Sequence, residues 1–230
     1  MNYAEKGEAM FMESSMRFYL DVMMFLFFGT FFSKKVVSMD YHVWGGLVFF
    51  GFTLWHVWLN RKWVTGFGKR QKKWRDWVTV LLMVIWLAMA VTGVLAAREF
   101  GIEWHALKPW HMFLGAVSLL LVAAHIGFHW GYLRENIKRH LPFLQKVPRA
   151  LAMILLVGTL CFGGWSYVNS GFSKWIAAPF SSSSHKHRSQ EGSGRKQHQQ
   201  QPFSAADLGG LMAEVSAMLY LGAYVVRKKN

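Results

Sequence analysis

Long apolar blocks, separated by short polar and mostly basic stretches, set the pattern of this chain. Five blocks approach the roughly 20 apolar residues that a helix needs to cross about 30 Å of hydrocarbon. They cover about 18–32 (reaching at most Val37), 41–59, 77–97, 110–130 and 150–168. In a sixth segment, 205–226, Leu208, Leu211, Met212, Val215, Leu219 and Val226 recur at helical spacing, while Asp207 and Glu214 interrupt the run. That pattern suits a surface amphipathic helix and a weak sixth span equally well. The expected fold is an all-α integral membrane protein of five or six transmembrane helices. Its expected parts are an N-terminal cytoplasmic segment (1–17), a five-span domain (18–168), a flexible polar linker (169–204) and a C-terminal helix (205–230).

Charge then orients the spans. The loop after the second block carries Arg61, Lys62, Lys69, Arg70, Lys72, Lys73 and Arg75, and the loop after the fourth carries Arg134, Lys138, Arg139, Lys146 and Arg149. The two opposite loops hold only Lys34, Lys35, Arg98 and Lys108. Twelve cations against four place the first pair, and the N-terminus, in the cytoplasm. Lys186, Arg188, Arg195 and Lys196 run against this count, but most lie too far from a span for the rule to weigh them.

Composition agrees with a membrane location: 53% of the 230 residues are hydrophobic, above the roughly 45–50% of soluble proteins. Met1 to Glu13, with three acids and one lysine, is not a signal peptide. The net charge of +14 lies between apolar blocks, where it meets anionic lipid headgroups, so nucleic acid is not an expected partner. Cys161, the single cysteine, cannot form an intrachain disulfide, and no CxxCH offers covalent haem attachment. The stretch from Ser181 to Gln201, rich in Ser, Gln and His, reads as solvated linker, and His185, His187 and His198 belong to it.

The candidate chemistry lies in the second and fourth blocks. His42 and His56 are 14 residues apart, as are His111 and His125. At about 100° and 1.5 Å per residue, each pair shares one helix face at depths about 21 Å apart. Both matching histidines are offset by 69 residues, and the two blocks run parallel because one block separates them. If the helices face each other, His42 meets His111 at one depth and His56 meets His125 at the other. Two facing imidazoles can ligate one haem iron axially. The pattern H-x3-G-x9-H occurs twice, with Gly46 and Gly115 one turn after His42 and His111. A glycine there removes the side chain that would collide with a flat macrocycle; Gly45 and Gly51 can assist. A lone intramembrane histidine is often only an interhelical hydrogen-bonding group. Four of them with equal spacing, equal offset and a shared glycine favour ligation of two haem b groups, with a histidine proton relay as the alternative.

These H-x13-H pairs resemble the di-haem core of the cytochrome b of quinol–cytochrome c reductases. They are also similar to ferric-reductase-like transmembrane proteins and to small di-haem cytochrome b subunits that anchor bacterial dehydrogenases. The resemblance covers about 36–133, and only His42, His56, His111 and His125 carry over by position. It implies a central haem-binding four-helix bundle in a bacterial cytoplasmic membrane. It also implies quinone as substrate and a dehydrogenase or multihaem cytochrome as partner. The chain has no dehydrogenase domain and no Rossmann-type glycine fingerprint, so an electron-transfer subunit is expected rather than a self-sufficient enzyme. A stand-alone ferric-reductase-like protein and a haem-free histidine-lined proton channel or transporter are the alternatives.

Other residues are weighed beside the ladder. His129, one turn after His125, is a substitute ligand at the cost of the 69-residue offset. His105 suits a quinone site, a partner contact or an ordinary surface position, and His140 a solvated one. Arg17 and Asp21, four residues apart, suggest an interfacial ion pair or a carboxylate that handles quinone protons. Arg61, Lys62, Lys34, Lys35 and Lys108 sit where cations anchor helix ends or neutralise haem propionates. Trp44, Trp55, Trp58, Trp63, Trp74, Trp77, Trp104 and Trp110 fall near block ends, as an aromatic belt would.

Overall fold

The computed structural model describes residues 3–32, 38–69, 71–101, 104–169, 171–181 and 205–228, and among these it contains helices and no strand. The helices are α1 (Tyr3–Thr30), α2 (Met39–Leu59), α3 (Arg61–Gly66), α4 (Trp74–Ala96), α5 (Lys108–Phe128), α6 (Trp130–His140), α7 (Arg149–Asn169), α8 (Phe172–Ala177) and α9 (Ala205–Lys228). Local chemistry sets their starts. Ser38 accepts the Tyr41 N–H at 3.1 Å to cap α2. The Asp76 carboxylate accepts the Lys73 N–H at 2.9 Å in the first turn of α4, and Trp63 Nε1 donates to it at 3.2 Å. Pro109 begins α5, where its missing N–H costs nothing.

Among the described residues four helices are long and apolar enough to cross a membrane: Trp74–Ala96, His105–Phe128, Arg149–Asn169 and Ala205–Arg227. They mark a membrane protein. α1 and α2 are not among the four; Asp40, His42 and His56 dilute the apolar run of α2. Outward-facing Leu81, Val84, Leu87 and Val91 on α4, and Ile154, Leu155 and Val157 on α7, suit contact with lipid tails.

The ambiguous sixth segment turns out to be the hub of the bundle. α9 buries Leu211, Val215, Met218 and Leu219 against Phe28 of α1 and Leu119 and Ala123 of α5. It also packs along α7, where Tyr167 Oη donates to the Met218 carbonyl at 3.3 Å. Small residues bring the backbones together. A Cβ on Gly163 of α7 would strike the Ala217 carbonyl, and one on Gly127 of α5 would lie 2.8 Å from the Ala223 oxygen. α2, α5 and α9 run parallel, with α1 antiparallel to them. Thr30 and Tyr41 meet at one end of α1–α2 (2.9 Å), and Arg17 donates to the Leu59 carbonyl at the other (2.9 Å).

Two sequence boundaries shift. The segment 1–17 does not stand apart from the first block, because one continuous helix runs from Tyr3 through it. The expected linker 169–204 begins as structure: α8 packs on α5, and Phe180 meets Trp110 and Phe113 edge-on. The apolar Trp175 and Phe180 supply the contacts that a solvated linker lacks. The residues 182–204, with His185, His187 and His198, lie outside the described residues, as do Lys34 and Lys35.

Candidate cofactor site between two parallel helices

α2 and α5 bring the four histidines into two layers. His42 and His111 have ring centres 6.0 Å apart with planes at 77°. At the other end His56 lies within electrostatic range of His125 and His129. The His125 and His129 rings are 4.7 Å apart. Two imidazoles bound end-on to one metal at about 2 Å each place their ring centres about 6 Å apart, so the His42–His111 separation fits a shared iron.

The second nitrogen of each ring decides what the first can do. His111 Nδ1 lies 3.1 Å from the Met89 carbonyl, which can only accept, so Nδ1 carries the proton. Thr92 Oγ1, 3.3 Å away, already donates to the Ala88 carbonyl at 2.8 Å. His125 Nδ1 meets Thr79 Oγ1 at 3.3 Å, and that hydroxyl donates to the Arg75 carbonyl at 3.0 Å. It therefore accepts from His125. His56 Nδ1 donates to the Asp21 carboxylate at 2.8 Å. In a neutral ring each of these bonds puts the lone pair on Nε2, the tautomer that a metal-ligating histidine needs.

The glycines leave open surface near the His42–His111 pair. A Cβ built on Gly46, Gly51 or Gly115 meets nothing within 4 Å, so one turn beyond His42 and His111 both helices leave open space. Gly45 instead faces α1, its Cβ position 3.3 Å from Phe31. Donor chemistry, ring separation and this opening together fit a bis-imidazole haem. Among the described residues no group of three or more His, Cys, Asp or Glu side chains is placed to hold a metal ion alone.

Several other expectations change. Arg17 does not pair with Asp21: it binds Glu13 at 2.6 Å and the Leu59 carbonyl, which leaves Asp21 to His56. The i,i+4 spacing allowed either acid, and the neighbouring helix decided. His140 is not simply solvated. It stacks on Phe18 at 4.8 Å and 12°, because α6 folds back against α1. His129 ends α5 on the exposed side, and His105 is exposed in a short turn before α5. Arg61 lies over Trp58 at 5.0 Å, while Lys62 and Lys108 are exposed. Seven of the eight predicted belt tryptophans are exposed, and Trp63 turns inward to Asp76.

Residues that sequence patterning did not single out sit on α4, which packs along α5 and touches α2. They are Thr79, Thr92, the Met89 carbonyl and Gly93, whose Cβ would lie 3.0 Å from His111 Cε1. Their signal was available: Thr79, Thr92 and Gly93 interrupt an otherwise apolar span.

The fold and site define a helical membrane protein with two layers of histidines between parallel helices. No family model, curated protein or solved structure matches the chain.

Proposed function

We propose that this chain is a di-haem b-type cytochrome that carries electrons across the bilayer. In this reading it is the membrane subunit of a respiratory complex, working between a quinone pool and a redox partner protein such as a dehydrogenase or multihaem cytochrome. The observation that carries the reading is the His42–His111 pair at 6.0 Å; the same 14-residue spacing carries His56 and His125 about four helical turns along the same two helices. A haem held by two imidazoles supplies a one-electron couple with no open coordination position. The chain's own residues do the rest. His42 with His111, and His56 with His125, hold one group each. Met89 and Thr92 fix the His111 ring, Thr79 the His125 ring and Asp21 the His56 ring. Gly46 and Gly115 leave room beside them. The packing of α9 among α1, α5 and α7 supports six spans, α1, α2, α4, α5, α7 and α9. Arg227, close to Trp130, adds to the basic inner face at the end of α9.

The test is a reduced-minus-oxidised spectrum of the detergent-purified chain with noncovalent haem extracted and counted. About two low-spin b haems per chain are expected. His42→Ala and His111→Ala should remove one of them, and His56→Ala and His125→Ala the other. A chain that binds no haem, expressed with ample supply, refutes the reading. The clustered His56, His125, His129 and Asp21 then favour a proton path.

A further inference from the structure

The two histidine layers differ in what holds their rings. At the His42–His111 end, His111 leans on a neutral carbonyl and a hydroxyl. At the other end, His56 leans on a carboxylate: Asp21 Oδ1 is 2.8 Å from Nδ1, and both side chains are half-buried. Arg17, one turn earlier on α1, makes no bond to that carboxylate; its Nη2 instead bonds Glu13 and the Leu59 carbonyl.

α2 also needs something to fix its rotation. Its sequence, MDYHVWGGLVFFGFTLWHVWL, is apolar on most sides, with His42 and His56 on one stripe. Hydrophobic burial therefore says little about which face turns toward α5. Its contacts with α1 are mainly ring against ring, such as Phe27–Phe52 at 5.7 Å and Phe31–Phe49 at 5.6 Å, and aromatic contacts tolerate small rotations. The two directional contacts at its inner end are Arg17 to Leu59 and Asp21 to His56.

We propose that Asp21 is a positioning residue for His56: it aims the ring's Nε2 away from α1 and keeps a negative charge on the ring's far side. The inference rests on the di-haem reading. A carboxylate bonded to Nδ1–H makes the imidazole a stronger electron donor. Its charge favours the oxidised, more positive state of whatever iron the ring holds. Replacing it with a neutral amide of the same shape therefore raises the reduction potential at that end alone.

The experiment is a potentiometric titration of the full-length protein, wild type against Asp21→Asn and Asp21→Glu. His42→Ala, which keeps only the His56-side haem, assigns the two steps. Asp21→Asn is expected to keep two haems and shift the His56-side equilibrium at least tenfold toward reduction, about 59 mV for one electron. The other step stays in place, and Asp21→Glu returns most of the shift. Two bound haems with both potentials unchanged in Asp21→Asn overturn the role of Asp21 and leave the cytochrome reading standing. A wild type without haem overturns the cytochrome reading itself. If Asp21→Asn does not accumulate, resonance Raman spectra of the wild type and of His42→Ala decide. A stiffer iron–imidazole stretch at the His56 end supports the proposal, and coincident bands at the two ends overturn it.

Discussion

Substituting Gly115 and Gly46 with leucine separates a haem-filled slot from an empty one. The protein itself offers no objection, since a Cβ at either position meets nothing within 4 Å. In a haem-free bundle each change removes a helix glycine and gains up to about 1 kcal/mol of helix propensity. If a macrocycle lies beside His42 and His111, the same leucine must share its space. Overpacking of that kind costs about 1–3 kcal/mol. At 1.4 kcal/mol per factor of ten, that weakens haem binding roughly 5- to 150-fold at this layer. The assay is haem per chain by difference spectrum, with thermal stability of the haem-depleted protein measured in the same detergent. The expected outcome is loss of one haem, with the His56–His125 layer intact and the depleted protein no less stable. Gly46→Leu and Gly115→Leu proteins that both keep two haems with unchanged spectra would refute the placement of a haem between these glycines.

Two further predictions concern the scaffold. Gly163→Leu forces a side chain against the Ala217 carbonyl, a backbone atom that cannot step aside, and should cost at least about 1–3 kcal/mol in detergent unfolding. Gly158→Leu on the same helix, where a Cβ meets nothing within 4 Å, is the control, and equal losses in the two would count against the α7–α9 contact. Single cysteines at Ala205 and at Lys228, in a Cys161→Ser background, should be labelled by an impermeant thiol reagent from opposite sides of the membrane. Labelling from one side only would return α9 to the membrane surface.

Whatever depends on spacing along one helix was legible before folding. Fourteen residues bring His42 and His56 to one face, and the same interval does so for His111 and His125, whatever surrounds them. The apolar lengths of α4, α5 and α7 were legible for the same reason, since hydropathy is a local sum. What lies across from a residue depends on rotation about the helix axis, which only packing fixes. Asp21 has a cation four residues before it, yet it bonds to a histidine 35 residues away because α1 and α2 pair with their inner ends level. Thr79, Thr92 and Gly93 became part of the site only when α4 settled along α5. α9 was ambiguous because lipid and protein interior are both apolar, so composition alone could not say which one its stripe would meet. Its close approach to Gly127 and Gly163 decided in favour of protein.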